Sequence, residues 1–247
     1  MTQLNRQHKA VVLLSGGMDS CVCAALAVRD FGAASIAALH VSYGQRTEAR
    51  ERKAFEAVCR RLNIERRLLL ENRALNLIGG SALTDKKIAV PESRPLGEEI
   101  PATYVPFRNA HLLAAAVSWA EVLGAARVYI GAVEQDSPGY PDCRPEYYRA
   151  FNELIRAGTK AGTIQVLTPL IALRKAEIVR LGLEVGAPFD LTWSCYSQQD
   201  RACGVCDSCV LRLRAFQQAG VDDPIPYGNK NKIATSSIAK AKKAGKP

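Results

Sequence analysis

The sequence contains no apolar run that approaches membrane-spanning length, and Met1–Lys9 is polar without the apolar core of a signal peptide. These absences argue against a membrane protein and a secreted protein, and we expect a cytoplasmic location. With 48% apolar and 23% charged residues, the 247-residue chain has the composition of an ordinary globular protein. Its length allows one large α/β domain with a small additional module.

Two common phosphate-binding signatures are also missing. No G-x-x-x-x-G-K-[ST] occurs, so the chain has no Walker loop with its phosphate-binding lysine. The dinucleotide fingerprint G-x-G-x-x-G is absent as well. A phosphate site of either kind is therefore excluded, and the first apolar run is followed instead by S-G-G-M-D-S at residues 15–20.

The stretch Val11–Ser20 predicts a strand, a tight turn and the start of a helix. Four apolar residues are typical of a strand buried on both faces, and the two glycines that follow permit a sharp turn. Asp19 and Ser20 are good helix N-caps, and an Ala-rich helix is predicted over 21–31. Exposed amides and the helix dipole at this point favour a phosphate site, although an ordinary strand–helix turn is the alternative.

Strand-like and helix-like segments alternate along the rest of the chain. This alternation predicts an α/β fold with a doubly wound, mainly parallel five-stranded sheet. The later strands are predicted at 35–41, 65–70, 127–132 and 163–167, and the later helices at 47–62, 108–123, 145–158, 174–183 and 210–218. Ligands of such sheets bind beyond the carboxyl ends of the strands, so the loops there are the candidate site.

Those loops are rich in polar residues. The second strand is followed by Ser42–Arg46, and the third by an aperiodic connection, 71–107, which is long enough to be an active-site cover. That connection leads into Val105–Asn109, and 131–144 follows the fourth strand. Any one of these polar residues also fits an ordinary surface loop, but their shared place beside the phosphate turn favours a binding site.

The net charge of +9 is concentrated at one end of the chain. Six lysines and no acidic residue lie in 224–247, and without them the charge falls to +3. We interpret this segment as a solvated, flexible tail and expect no obligatory nucleic-acid partner. The predicted organisation is an α/β domain that carries the phosphate turn at 1–190, a metal module with its helix at 191–223, and the tail at 224–247.

Eight cysteines in a cytosolic chain indicate metal or catalytic use rather than disulfides. Cys21, Cys23 and Cys59 lie in helical patterns and are interpreted as buried apolar residues. Four others have metal-ligand spacing and predict one structural Zn²⁺ per chain, namely Cys195, Cys203, Cys206 and Cys209. An iron–sulfur cluster is an alternative occupant. A zinc ribbon for nucleic acid is disfavoured, because the helix at 210–218 is short and weakly basic.

Several motifs together carry a family resemblance. S-G-G-M-D-S is similar to the PP-loop of ATP pyrophosphatases, which cleave ATP between the α- and β-phosphates. With S-Y-G-Q-R, V-P-F-R-N, G-Y-P-D-C-R, K-A-E-I, T-W-S-C-Y and the later cysteines, the chain from about Lys9 to about Gly220 resembles the 7-cyano-7-deazaguanine synthase family. Two positions depart from the family's pattern: Phe107 stands where a small residue is more usual, and Pro138 interrupts S-G-Y-P-D-C-R.

The resemblance implies an adenine nucleotide alpha hydrolase-like fold and an ATP-dependent ligase in queuosine biosynthesis. The implied reaction converts 7-carboxy-7-deazaguanine and ammonia to a nitrile through an adenylated carboxylate and an amide, at two ATP per product. Mg²⁺ and a homodimer are also implied. The alternatives are another AMP-forming PP-loop enzyme, such as a transfer-RNA thiolase, or a deazaguanine ligase that stops at the amide.

The resemblance also implies roles for individual residues. The nucleotide would be held by Leu14, Ser15, Gly16, Gly17, Met18, Asp19, Ser20 and Val41. The deazaguanine and its carboxylate would be held by Tyr43, Gln45, Arg46, Arg108, Asn109, Glu134 and Asp142. The catalytic residues would be Asp19 with Mg²⁺, Arg46, Arg108, and Lys175 near the departing phosphates. Cys143 is assigned a packing role, because an adenylate route needs no covalent nucleophile.

Overall fold

A computed structural model describes residues 8–92, 100–134 and 140–228 of the chain. Five strands form one parallel sheet in the order β3-β2-β1-β4-β5. The strands are β1 (Ala10–Leu13), β2 (Ile36–Ser42), β3 (Arg66–Glu71), β4 (Arg127–Tyr129) and β5 (Gln165–Leu167). The predicted doubly wound parallel sheet is confirmed.

Seven helices of more than one turn connect and flank these strands in the described residues. They are α1 (Met18–Phe31), α2 (Glu48–Arg61), α3 (Arg73–Ile78), α4 (Arg108–Leu123), α5 (Pro145–Gly158), α6 (Lys175–Glu184) and α7 (Asp207–Ala219). Single 3₁₀ turns occur at Ala33–Ser35, Pro141–Cys143 and Phe189–Leu191. None of the helices in the described part of the chain is long and apolar enough to cross a bilayer.

The continuous apolar run of β1 follows from burial on both faces. Val12 packs in a core with residues of α1 and α6, whereas Val11 packs in a second core with residues of α4 and α5. Because successive side chains of a strand point to opposite faces, a strand covered by helices on both sides is apolar at every position. Because helices pack on both faces of β1, the turn at residues 14–17 that follows it is held in a fixed position.

Three local expectations from the sequence were wrong. Helix α1 begins at Met18 with Gly17 at its N-cap, so Asp19 and Ser20 lie in its first turn and cap nothing. The turn itself lies at the two glycines as expected, and Gly16 takes a positive φ of 90°. The connection 71–107 is not wholly irregular, since it contains α3, and β4 ends at Tyr129 rather than at residue 132.

The strand order reverses between β1 and β4, which creates a crevice at the carboxyl end of the sheet. Gly131, two residues beyond β4, lies directly against the start of α1. A Cβ atom there would be 2.8 Å from the backbone nitrogen of Ser20, so only glycine permits this approach. The fold thereby brings the loop after β4 beside the turn after β1.

Candidate functional site

A cavity of about 270 Å³ opens over the carboxyl ends of β1, β2 and β4. Most of the residues that the sequence implicated line it: Leu14, Ser15, Gly17, Met18, Asp19, Ser20, Val41, Tyr43, Gln45, Arg46, Arg108 and Asn109. Loops from distant parts of the sequence meet here because the carboxyl ends of parallel strands share one edge of the sheet. The sequence-based location of the site is thus matched by a cavity.

The phosphate loop, residues 15–20, forms one wall of this cavity. Ser15 Oγ accepts a hydrogen bond from the Gly17 N–H (3.2 Å) and lies 3.0 Å from Ser20 Oγ. Ser20 Oγ in turn donates to the Gly17 carbonyl at 3.0 Å. These bonds hold the turn open at the N-terminus of α1, where free amide groups and the helix dipole attract an anion.

Asp19 combines an ion pair with an unused oxygen. Its Oδ2 lies 2.7 Å from Nζ of Lys175, the first residue of α6, and the two side chains are 26% and 15% exposed. Its Oδ1 is buried and has no hydrogen-bond partner among the described residues. An orphaned carboxylate oxygen beside a phosphate site fits a divalent cation such as Mg²⁺, which prefers oxygen ligands. Lys175 does not itself line the cavity.

Arg108, at the N-terminus of α4, lines the same cavity. Its Nη1 donates to the Tyr43 hydroxyl at 3.2 Å, and its Nε is buried without a partner among the described residues. Burial acts to lower the pKa of Arg108, but Tyr43 and then Asp142 outweigh it, so the guanidinium stays charged. A buried guanidinium with a free donor is suited to a carboxylate or phosphate ligand.

Arg46 binds residues 82–88 of the connection between β3 and α4. Its guanidinium donates to the backbone carbonyls of Ala82, Asp85 and Ile88 at 2.7, 3.0 and 2.6 Å. Its own N–H donates to the carbonyl of Leu83, which lines the cavity. These contacts hold residues 82–88 beside the cavity, which Leu83 lines. Arg46 therefore lines the site with its guanidinium already paired.

Four implicated residues lie apart from the cavity lining. Gly16 is packed against α2, where a Cβ would be 2.6 Å from the Glu51 carbonyl oxygen. Asp142 is buried behind Asn109, whose N–H donates to its carboxylate at 3.3 Å. Glu134 is exposed and makes a backbone bond to Ile171, while Lys175 reaches the site only through Asp19. Pro138 lies outside the described residues.

The structure shows the positions of Phe107 and Cys143. Phe107 takes a left-handed conformation, with a φ of 55°, at the N-cap of α4 and is 61% exposed. Glycine tolerates this backbone region best, so a side chain as large as Phe107 is strained there. The Sγ of Cys143 lies 3.9 Å from the Asn109 side-chain nitrogen, and Cys143 is buried.

Glu51 and several residues around the candidate metal-ligand cysteines line the cavity, although the sequence did not predict this. Glu51 lines the cavity from α2, although the charged pattern of that helix resembles a solvated face. Burial raises the pKa of its carboxyl above the usual value. Trp193, Ser194, Tyr196 and Ser208 also line the cavity. The T-W-S-C-Y motif contains three of these residues, but the cysteine spacing indicated only a structural metal site.

The four predicted metal ligands are brought together. The Sγ atoms of Cys195, Cys203, Cys206 and Cys209 all lie within 4.8 Å of one another. Cys203 and Cys209 are 3.8 Å apart, close to the edge of a tetrahedron with metal–sulfur bonds of about 2.3 Å. Hydrogen bonds from Cys206 and then Cys209 hold the pKa of Cys195 far below its usual value. The cluster can hold one metal ion as thiolates.

A hydrogen bond joins the module to the phosphate loop, and an ion pair lies buried within the module. The Trp193 N–H, two residues before Cys195, donates to the Gly16 carbonyl at 2.8 Å. Arg212, on α7, pairs with Asp223 at 2.8 Å, and both side chains are only 2% exposed. Arg212 is thus buried in the module and is not available to contact nucleic acid.

The family model and the curated relatives identify the same family. The family model described as "Queuosine biosynthesis protein QueC" matches residues 9–220. A 7-cyano-7-deazaguanine synthase of Koribacter versatilis is 72% identical over 89% of this chain and 93% of its own length. That of Acidobacterium capsulatum is 63% identical over 91% of this chain and 99% of its own. Among solved structures, the U34-tRNA thiolase NcsA from Methanococcus maripaludis aligns with a TM-score of 0.46 and 15% identity, over 74% of this chain and 59% of that one.

Proposed function

The chain belongs to the queuosine biosynthesis protein QueC family, and from this premise we propose how its own residues carry out the family's reaction. It is an ATP-dependent carbon–nitrogen ligase that converts 7-carboxy-7-deazaguanine and ammonia to 7-cyano-7-deazaguanine. The observation that supports these residue roles is the cavity, which is lined both by residues of the phosphate loop and by Arg108.

The phosphate loop and Arg108 suit the two anions of the first step. The phosphate loop offers amide groups to the phosphates of ATP, and Arg108 offers its unpaired Nε–H to the carboxylate of the deazaguanine. A carboxylate is a poor electrophile, because an oxide is a poor leaving group. Holding both anions in one cavity allows the carboxylate oxygen to attack the α-phosphorus, with release of pyrophosphate and formation of an acyl adenylate.

The remaining steps use the same arrangement. Ammonia attacks the acyl carbon, the bond to AMP breaks, and an amide results. Activation of the amide oxygen by a second ATP then permits loss of AMP and of the remaining N–H protons, which leaves the nitrile. Tyr43 and Asn109 line the space around Arg108 and are proposed to hold the heterocycle.

Two metal ions are proposed, with different duties. Asp19, through its unpaired Oδ1, would hold a Mg²⁺ ion that neutralises phosphate charge, with Lys175 beside it. The four cysteines would hold a structural Zn²⁺, which suits four thiolates with no open position. Its duty is to fix the segment that carries Trp193 and Tyr196 into the cavity wall.

We also propose a domain division, a cellular location and an oligomeric state. The division into 1–190, 191–223 and 224–247 agrees with the separate apolar cluster around the cysteines. A cytoplasmic location agrees with the eight cysteines, which all lie in the described residues and form no disulfide there. A homodimer is what the family resemblance suggests, and sedimentation of the purified protein tests it.

The function is tested by mass spectrometry of a reaction containing 7-carboxy-7-deazaguanine, ammonium, Mg²⁺ and ATP. We expect the nitrile, with about two AMP released per product because two oxygen atoms must each be activated by ATP at the phosphate loop. Accumulation of the amide would instead support a ligase that stops halfway. ATP cleavage only with a thiol-containing or other acceptor would contradict the assignment of the substrate.

A further inference from the structure

Glu51 is an unusual carboxylate in this site. The cavity is lined by two acidic side chains, Asp19 and Glu51, and Asp19 is paired with Lys175. Glu51 receives hydrogen bonds only from neutral groups, the Gln45 amide at 2.9 Å and the Thr47 hydroxyl at 2.7 Å. It forms no ion pair within the described residues. Each carboxylate oxygen retains acceptor capacity for a ligand that carries N–H groups or positive charge.

The location of Glu51 fits the attacking nucleophile. Its backbone carbonyl packs against Gly16, so this turn of α2 touches the phosphate loop. Arg108 and Tyr43 act electrostatically on the same carboxyl group. Glu51 therefore lies close to the loop proposed to hold the phosphates and within electrostatic range of the guanidinium proposed to hold the substrate carboxylate. A nitrogen nucleophile bound at Glu51 would share one cavity with both anions.

We propose that Glu51 binds the ammonium ion in the cavity and accepts one of its protons as the carbon–nitrogen bond forms. This inference rests on the proposed function, since it assigns the nitrogen source a place in that site. Ammonium has no lone pair and cannot attack until a proton leaves it. Its N–H bond breaks, the electron pair forms the bond to the acyl carbon, and the proton moves to Glu51. The carbon–oxygen bond to AMP then breaks, and nitrogen loses a second proton to water.

The environment of Glu51 suits such a proton acceptor. Burial, the largest influence, raises the pKa of its carboxyl above the usual 4.5. The charged and titratable groups that act on it are Arg108 from α4, Glu48 from its own helix, and Tyr43 from the loop after β2. A carboxylate made more basic by burial takes up a proton more readily, while its negative charge in a confined site attracts a small cation.

The test compares two nucleophiles in wild type and Glu51→Gln. Glutamine can keep both local hydrogen bonds, because its carbonyl can accept from Gln45 and its amide can donate to Thr47. Ammonium is charged at neutral pH, whereas hydroxylamine is mostly uncharged and needs no proton acceptor before attack. We expect kcat/KM for ammonium to fall roughly 10²-fold in the variant. The value for hydroxylamine should change by no more than a few-fold.

The matched control is Glu56→Gln, on the same helix but ion-paired with Arg52 and Arg60 at the surface. It should keep wild-type values for both nucleophiles. Equal losses for ammonium and hydroxylamine in Glu51→Gln would overturn the proposal. A raised KM for 7-carboxy-7-deazaguanine with an unchanged dependence on ammonium would also overturn it, and would show that Glu51 contacts the N–H edge of the heterocycle. If wild type forms no nitrile, the proposed function itself fails.

Discussion

Asp223→Asn is predicted to destabilise the protein strongly, because it leaves a buried positive charge without its partner. Arg212 donates to both carboxylate oxygens of Asp223, at 2.8 and 2.9 Å, and both side chains are 2% exposed. Removing one partner of such a pair costs about 3–5 kcal/mol. For a chain of this size, that corresponds to a fall in the melting temperature of about 6–20 °C.

The assay is thermal unfolding followed by circular dichroism, with protein purified in the presence of Zn²⁺. Asp222→Asn is the matched control, because Asp222 is the adjacent acid and is exposed, and it should change the melting temperature little. The double variant with Arg212→Met should recover part of the loss, since it removes the stranded charge as well. A melting temperature for Asp223→Asn equal to wild type would refute the reasoning, as would strictly additive effects of the two substitutions.

Four further predictions concern the cavity and its supports. Arg108→Met should weaken binding of the deazaguanine carboxylate by about 1.5–3 kcal/mol, seen as a KM raised roughly 10- to 100-fold, and an unchanged KM would contradict the assignment. Glu51→Gln should be more stable than wild type at pH 8 and equally stable below pH 4.5. The reason is that the stability contributed by a carboxyl with a raised pKa is complete at low pH and is lost as the pH rises through that pKa. Urea unfolding at both pH values checks this prediction. Gly16→Ala should cost more stability than Gly32→Ala in urea titrations, since both glycines have positive φ but only Gly16 has an atom 2.6 Å from the added Cβ. Cys195→Ser should lose the metal, measured by elemental analysis, and should also weaken ATP binding; intact ATP binding by the metal-free variant would contradict the coupling.

The sequence predicted the sheet because the governing pattern is local. The apolar run of β1 and the glycines after it indicate a buried strand and a tight turn without reference to the rest of the chain. The alternation of strands and helices then leaves few possible topologies. Helix α3 escaped prediction because it is six residues long, too short to give a clear period.

Loop positions in the sequence predicted where the candidate site lies. The hydrogen-bond partners of its side chains could not be predicted in this way. Arg46, Arg108 and Asp142 look alike in sequence, as charged residues in loops after strands. The structure separates them, because Arg46 is paired with carbonyls, Asp142 lies behind Asn109, and the Nε of Arg108 has no hydrogen-bond partner among the described residues. These differences depend on contacts with residues tens of positions away. Glu51 was missed for the converse reason, because helical charge patterns do not reveal which acid faces inward.

The hydrogen bond between Trp193 and Gly16 has a consequence for how the protein matures. The residue that supports the phosphate turn lies two positions before the first metal-ligand cysteine, so a newly made chain can complete its nucleotide site only as the metal module closes. We expect metal loading to precede competence for ATP. Such an order of assembly would protect the cell from an immature enzyme that splits ATP without making product.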